Sequence, residues 1–533
     1  MLTAEWTSIV KQIRNYPCVF DYTMNNEDVA MQKPLAPDLY KLAKQLDPKR
    51  LVNTADGVFG GNMGPLPNPT DFRSAGFALQ TIPILDPHQF QIKGHPPVPL
   101  INHEMGNFVS WPMLEDEISR FAHNIKPYWL TPAYNKIASK NSSIALSENV
   151  LWSAASNRLF LFCWKDKMEA LRKTEKISGN EWWLLQDYWM GSNGILDAYY
   201  APKHPESEMR EIANMNAGVM LLIAEAPGDN LPLPAAMASK LLRRAYSSKD
   251  VLESSLHVSN YGAADIPASA TLTWEVIGMD AAGLNTTICS KSKLPLPASG
   301  VPQGPNTTMV GAISCALPDL GDFQHAPKGP LTLTVRAELL DGAGKSVAHN
   351  AWRARVYAAA LDGPAPPGIT VYTTPKLCQH VPIGDMKCAL PTVNERTGKF
   401  GPYGKMPKGT VVVIDELNQE MLALASEGCT VLVLNNGSHD TTDGGQGGSG
   451  HSFGIKTDKA VFKTAWWLGS ASDNNMGTVA YKHPVFAGMT PDGWADEGWV
   501  RLIQGGVNYI LEVMLLLMLL LAPLRLLVLT SLV

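Results

Sequence analysis

The 533-residue chain has no C-x-x-C pair, no excess of basic residues and no unbroken apolar run of bilayer length, and each absence excludes something. Its seven cysteines, Cys18, Cys163, Cys289, Cys315, Cys378, Cys388 and Cys429, lie scattered through apolar segments. That excludes a cysteine zinc site or a redox dithiol. Buried thiols are the first expectation for them and a disulfide the second, so they do not reveal the compartment. Asn-x-Ser/Thr sequons begin at Asn141, Asn285, Asn306 and Asn436 and matter only in a secreted chain. Lys and Arg number 44 against 49 Asp and Glu, a net charge of −5, which argues against a nucleic-acid partner. The start, Met1–Pro17, does not follow the signal-peptide pattern. Its Trp6, Ile9, Val10 and Ile13 recur at helical spacing, as in a surface helix of a domain already under way. The expectation is therefore a chain that begins in mid-fold, of unknown localisation, secreted or membrane-attached in its full-length form. At the other end, residues 507–533 are almost all Leu, Met, Val and Ile. The stretch Val513–Leu524 is 12 residues long, a bilayer span needs about 20, and Arg525 in mid-span is costly. This tail reads as a misassembled gene end before it reads as a membrane segment.

What is present divides into stretches of different pattern, and the length suggests three or four domains. Residues 1–203 alternate short apolar strands (Cys18–Thr23, Leu51–Asn53, Val98–Asn102, Trp182–Gln186) with helical segments such as Asp38–Leu46 and Leu159–Lys173, which predicts a parallel sheet covered by helices. Residues 204–362 alternate apolar and polar positions in Ser254–Asn260, Ala270–Ile277, Leu331–Glu338 and Ala351–Tyr357, with turn signals at Asp280–Gly283 and Asp341–Gly344. That is the pattern of an antiparallel β-sandwich. A proline-rich joint follows, and residues 369–506 return to α/β, with apolar strands at Thr410–Asp415 and Thr430–Asn435 and a helix over Glu416–Ser426, as in a small doubly wound domain.

Two segments carry chemistry. The strand Cys18–Thr23 runs into Met24-Asn25-Asn26-Glu27, and Val98–Asn102 runs into His103-Glu104-Met105-Gly106. A glutamate just past a strand is more often a surface or capping residue. Two of them at two strand ends are what glycosidic cleavage needs, one protonating the leaving oxygen and the other attacking the anomeric carbon or activating water.

Asn15-Tyr16-Pro17 leading to Asn26-Glu27 resembles the acid/base strand of glycoside hydrolase family 2, the β-galactosidases, β-glucuronidases and β-mannosidases. Asp47-Pro48-Lys49-Arg50 resembles that family's D-P-T-R stretch, and His103-Glu104-Met105-Gly106 its nucleophile strand. Leu184-Leu185-Gln186-Asp187 with Gly194-Ile195-Leu196-Asp197-Ala198 is similar to a subgroup motif, although a Trp stands where this chain has Gln186. The span Val258–Gly262 to Trp274, ending at Asn350-Ala351-Trp352, is similar to that subgroup's immunoglobulin-like module. The resemblance implies strands 4–8 of a (β/α)8 TIM barrel in 1–203 and an immunoglobulin-like domain in 204–362. It implies a retaining exo-glycosidase, β-galactosidase-like, with Glu27 as acid/base, Glu104 as nucleophile and Asn26 on the sugar 2-hydroxyl. His103, Asp187, Trp111, Tyr188 and Trp189 are candidate sugar contacts. The implied partner is a glycoside or polysaccharide, and no cofactor or metal is called for.

The same resemblance implies domains and three barrel strands ahead of Asn15, so the chain is expected to be a fragment with little activity of its own. The alternative is a catalytically silent carbohydrate-binding or scaffold remnant. Residues 369–506 resemble a flavodoxin- or glutamine-amidotransferase-like domain through Gly477-Thr478-Val479 and Lys482–Gly488. Cys429 precedes its strand, where an amidotransferase nucleophile follows one. The run Gly444–Gly450 contains a formal G-x-G-x-x-G but opens no helix, so it reads as a loop and not as a dinucleotide site.

Overall fold

The computed structural model describes residues 1–26, 29–57, 69–76, 96–105, 110–121, 142–174, 176–188, 192–225, 243–280, 282–305, 307–320, 330–357, 367–378, 409–414 and 429–434, with isolated residues and short strands between and beyond them. It is a mixed α/β and β-rich structure.

The first part opens with helix α1 (Leu2–Ile13), then strand β1 (Asp21–Thr23), helix α2 (Val29–Leu46), and strands β2 (Leu51–Asn53), β3 (Arg73–Ala75) and β4 (Leu100–Met105). Helices α3 (Leu114–Arg120) and α4 (Ser142–Lys173) and strand β5 (Gly179–Trp182) complete it. β1 pairs with β2, β3 with β4 and β4 with β5, all in parallel. β2 and β3 are tied where the Asp71 amide donates to the Val52 carbonyl and the Val52 amide to the Asp71 carboxylate. β1 and β2 form a two-stranded sheet, and β3, β4 and β5 form a three-stranded sheet in that order. Trp6 and Val10 of α1 bury against Tyr22, Ala43 and Val52, while Ile9, expected on the same face, is exposed. α4 covers the three-stranded sheet. Phe160, Trp164 and Leu171, spaced to share one helix face, pack with Ala75, Leu100 and Met105.

Helix α5 (Glu206–Met215) leads into strands β6 (Val219–Ala224), β7 (Ala245–Ser247), β8 (Val251–Asn260), β9 (Thr271–Met279), β10 (Asn285–Pro295), β11 (Thr307–Ala316), β12 (Leu331–Leu340) and β13 (Ser346–Tyr357). They form two sheets, ordered β10-β9-β12-β13-β7 and β11-β8-β6, with one apolar core between them. Leu331, Leu333, Val335, Ala337 and Leu339 supply every second side chain of β12 to that core. Both turn signals work through an aspartate. The Asp280 carboxylate accepts from the amides of Ala282 and Leu284, and that of Asp341 from Ala343 and Lys345, with Gly283 and Gly344 in the left-handed region at φ +80° and +83°.

The cysteines depart from the first expectation. Cys289 on β10 and Cys315 on β11 form a disulfide between the facing sheets, and Cys378 pairs with Cys388. Cys163 and Cys429 are buried thiols and Cys18 is an exposed one. Residue spacing could not show the first pair, because the two Cα atoms meet at 6.1 Å only once the sheets face each other. Closing a loop with a sequence separation of 26 restricts the unfolded chain enough to contribute about 3 kcal/mol. Cys289→Ala with Cys315→Ala is expected to lower unfolding free energy by that amount in denaturant titration, and a loss near zero contradicts it. Of the four sequons, Asn285 lies exposed at the start of edge strand β10, and the other three lie outside the described residues.

Beyond the joint, β14 (Thr370–Thr373), β15 (Thr410–Ile414), β16 (Thr430–Leu434) and, after three short antiparallel strands β17 (Gly450–Ser452), β18 (Ile455–Lys459) and β19 (Val507–Tyr509), β20 (Leu526–Leu529) are described. β14, β15, β16 and β20 form a parallel sheet in that order. Leu526–Leu529 of the apolar tail pair with β16 as the last strand of this sheet. No described helix is long and apolar enough to cross a membrane. The helix expected over Glu416–Ser426, Gly477-Thr478-Val479, Lys482–Gly488 and the glycine-rich run from Gly444 to Ser449 lie outside the described residues.

Candidate active site

The C-terminal ends of β1, β2 and β4 converge. Asn26, just past β1, bridges to Asp56, just past β2, and the Asp56 amide donates to the Asn25 carbonyl. The Asp56 carboxylate lies 3.0 Å from His103 Nδ1, and His103 Nε2 lies 3.2 Å from Glu104 Oε1. A continuous run of contacts therefore leads from the residue before Glu27 to Glu104. Glu181 on β5 approaches His103 Nδ1 at 3.7 Å and accepts the Ser74 hydroxyl at 3.1 Å.

β4 is irregular at this point. Its register with β5 runs Asn102↔Asn180, then Met105↔Trp182, so β4 carries one extra residue around His103 and Glu104. Such a bulge re-aims side chains. Glu104 takes φ +47°, left-handed backbone for a residue with a Cβ, at a cost of about 1–3 kcal/mol of the kind found at functional sites. The turn brings His103 and Glu104 to the same side, and both are buried.

Charge explains the stability of the group. Burial alone would lower the His103 pKa, yet its hydrogen bonds to Asp56, Glu104 and Glu181 push it up to about 12, so it is an imidazolium. Burial raises the Asp56 carboxyl, but hydrogen bonds from His103 and Ser74 outweigh it and hold the group below the usual range. Tyr188 stands beside Glu104. Burial, then the Glu104 charge, push its phenol up to about 12.

The candidates separate accordingly. Asn26, His103, Glu104 and Tyr188 come together. Trp111 packs away from them, donating from its indole to Asn149 at 2.8 Å and meeting Trp152 edge to face. Asp187 is buried, bound to Lys203 Nζ and to the Gly194 amide at 2.8 Å each. Glu27 and Trp189 lie outside the described residues. Asp56, Ser74 and Glu181 were not anticipated. Asp56 carries the same strand-end signal as the two glutamates, whereas Ser74 and Glu181 had none. Among the described residues, Asp56, His103 and Glu181 are one group whose ligand atoms lie within 4.8 Å of one another. Those atoms already bind each other and Ser74, with the imidazolium where a cation would sit, so no metal is assigned.

A second charged cluster lies behind Asp187. Glu117 on α3 is 5% exposed. Burial, then the Asp187 charge, raise its carboxyl to about 7 against the opposing pull of Lys203. A raised carboxyl pKa favours the fold while the proton is bound. That contribution is complete below about 4.5 and is lost as pH rises past about 7. Glu117→Gln mimics the protonated form, so it is expected to raise stability at pH 8 by about 2 kcal/mol and to leave it nearly unchanged at pH 5. Urea unfolding at the two pH values checks this, and equal effects at both contradict it.

No protein-family model matches the chain, and no curated protein matches it. Among solved structures, the exo-chitosanase of Amycolatopsis orientalis is similar over 66% of this chain and 38% of that one, at 14% identity and a TM-score of 0.37. The β-glucuronidase of Parabacteroides merdae is similar over 68% of this chain and 41% of that one, at 12% identity and a TM-score of 0.28. The chain spans about two-fifths of the length of these solved glycosidases. Likeness of this extent decides nothing about the reaction, for which the side chains themselves have to speak.

Proposed function

We propose that the chain is the catalytic part of a retaining glycoside hydrolase acting on β-linked sugars, with β-galactosides as the first substrates to test. Glu104 is the nucleophile, Glu27 the acid/base and Asn26 the partner of the sugar 2-hydroxyl. The observation that supports this is the path Asn26–Asp56–His103–Glu104, which puts the ends of β1 and β4 on one rim. A carboxylate there, turned by a bulge and hydrogen-bonded by the His103 ring, is suited to attack an anomeric carbon. The proton for the leaving oxygen comes from the second carboxyl, and water then cleaves the glycosyl ester with that residue as base. The parallel pair β1–β2 and the parallel sheet β3–β4–β5 support a (β/α)8 barrel half, in which such groups sit at the strands' C-terminal ends.

The test is incubation of the chain with a panel of aryl β-glycosides, the first-formed sugar being read by proton NMR. The β-anomer is expected first. First appearance of the α-anomer contradicts the retaining mechanism. No turnover of any member leaves a silent remnant in place of an enzyme.

A further inference from the structure

Neighbouring residues of a strand ordinarily point to opposite faces. At the β4 bulge His103 and Glu104 share one side, and His103 is 2% exposed. Its two nitrogens each face a carboxylate, Nδ1 to Asp56 at 3.0 Å and Nε2 to Glu104 at 3.2 Å. A ring that donates from both nitrogens is a cation. Asp56 is fixed in turn by the Gly57 amide at 2.9 Å. We propose that His103 is a positioning residue, a cation fixed on Asp56 that holds the Glu104 carboxylate in place, and is not a contact of the substrate. This rests on Glu104 being the nucleophile.

The groups facing the ring account for its charge from each side: Asp56 after β2, Glu104 on β4 itself and Glu181 on β5, with Tyr188 beyond Glu104. The clamp matters most in the second half of the reaction. The Glu104 oxygen bonded to the anomeric carbon is released as water attacks, the electron pair of the breaking bond returns to the carboxylate, and the proton of water goes to the acid/base residue. The imidazolium receives the returning charge at 3.2 Å. Losing it slows ester cleavage more than ester formation, so kcat and KM fall together.

The ring itself can be observed. In a full-length chain labelled with [15N]histidine, with His103→Gln used for assignment, His103 is expected to show two protonated nitrogens at pH 8. Glu104→Gln and Asp56→Asn are each expected to lower its midpoint by at least about one pH unit, about tenfold in proton affinity. A neutral ring at pH 8, or a midpoint that Glu104→Gln does not move, overturns the proposal. Cooperative thermal unfolding of each variant shows that it has folded, and Glu104→Gln and Asp56→Asn report on opposite sides of the ring. With an aryl β-glycoside, His103→Gln is expected to lower kcat by roughly 100-fold without raising KM. A raised KM with unchanged kcat makes His103 a sugar contact and overturns the proposal. Absence of turnover by the wild-type chain sinks the hydrolase reading alone, while the ring titration still decides the clamp.

Discussion

Glu104→Ala is expected to lower turnover of an activated aryl β-glycoside by on the order of 10⁴-fold or more, as removal of a covalent nucleophile does, and added azide is expected to restore it. The reason lies in the geometry of substitution. Alanine empties the space on the α-face of the sugar that the Glu104 carboxylate occupied, and azide entering there displaces the aryl group with inversion. The product is an α-glycosyl azide. The Glu27→Ala variant gives the opposite result, because its Glu104 still forms the glycosyl ester and azide then attacks from the other face, giving the β-glycosyl azide. An aryl leaving group needs little protonation, so the Glu27 variant retains more of the first step. The stereochemistry of the azide products therefore assigns the two roles separately. Turnover by Glu104→Ala equal to wild type, or a β-azide from it, overturns the assignment of the nucleophile.

How much of this was legible follows from what each element depends on. β2 carries its signal locally, as an apolar run before a polar cluster, and Leu51–Asn53 falls where the pattern predicts a strand. The alternation of β12 and the aspartate turns at Asp280 and Asp341 are likewise properties of neighbouring residues. β3 was invisible: Arg73-Ser74-Ala75 is too short and too polar for any periodicity and is a strand only because β4 lies beside it. The same holds at the site. The strand-end position of Glu104 is written in the chain. Its bulge is not, because a bulge exists only relative to the register of β5, whose residues follow more than 70 positions later. The contacts of His103 depend on the same register. On an unbulged strand it would face away from Glu104, and only the shifted register turns it into the partner of two carboxylates. The Cys289–Cys315 pair belongs to the same class of facts, since it depends on the meeting of two sheets.

The largest loss of stability is expected from Glu169→Ala, on the seam where α4 meets the sandwich. Glu169 is 1% exposed, and both its oxygens accept from the Trp352 indole at 2.9 Å, one of them also from the Asn350 amide at 3.0 Å. Lys173, one helical turn on and also buried, lies 3.9 Å away. Burial pulls the Lys173 ammonium below its ordinary range, against the opposing charge of Glu169. Alanine removes the acceptor from a buried indole and the counter-charge from a buried lysine at once, a change of the class that costs about 3–5 kcal/mol. Glu169→Gln keeps an acceptor oxygen and loses only the charge, so its cost is expected to be smaller, about 1–2 kcal/mol. The same helix makes further ties across the seam: Lys165 Nζ to the Ala351 carbonyl, Arg172 to the Ser259 hydroxyl, and Asp166 to the Arg244 guanidinium at 3.6 Å. Glu169 is the α4 side chain that accepts from both Asn350 and Trp352 of β13. Urea titration followed by tryptophan fluorescence tests this through Trp352 itself. A single transition in the wild type is expected to shift to lower urea in Glu169→Ala and to split, the sandwich unfolding apart from the α4 layer. A shift no larger than that of Glu169→Gln would show that the buried lysine, and not the indole, is what the carboxylate serves.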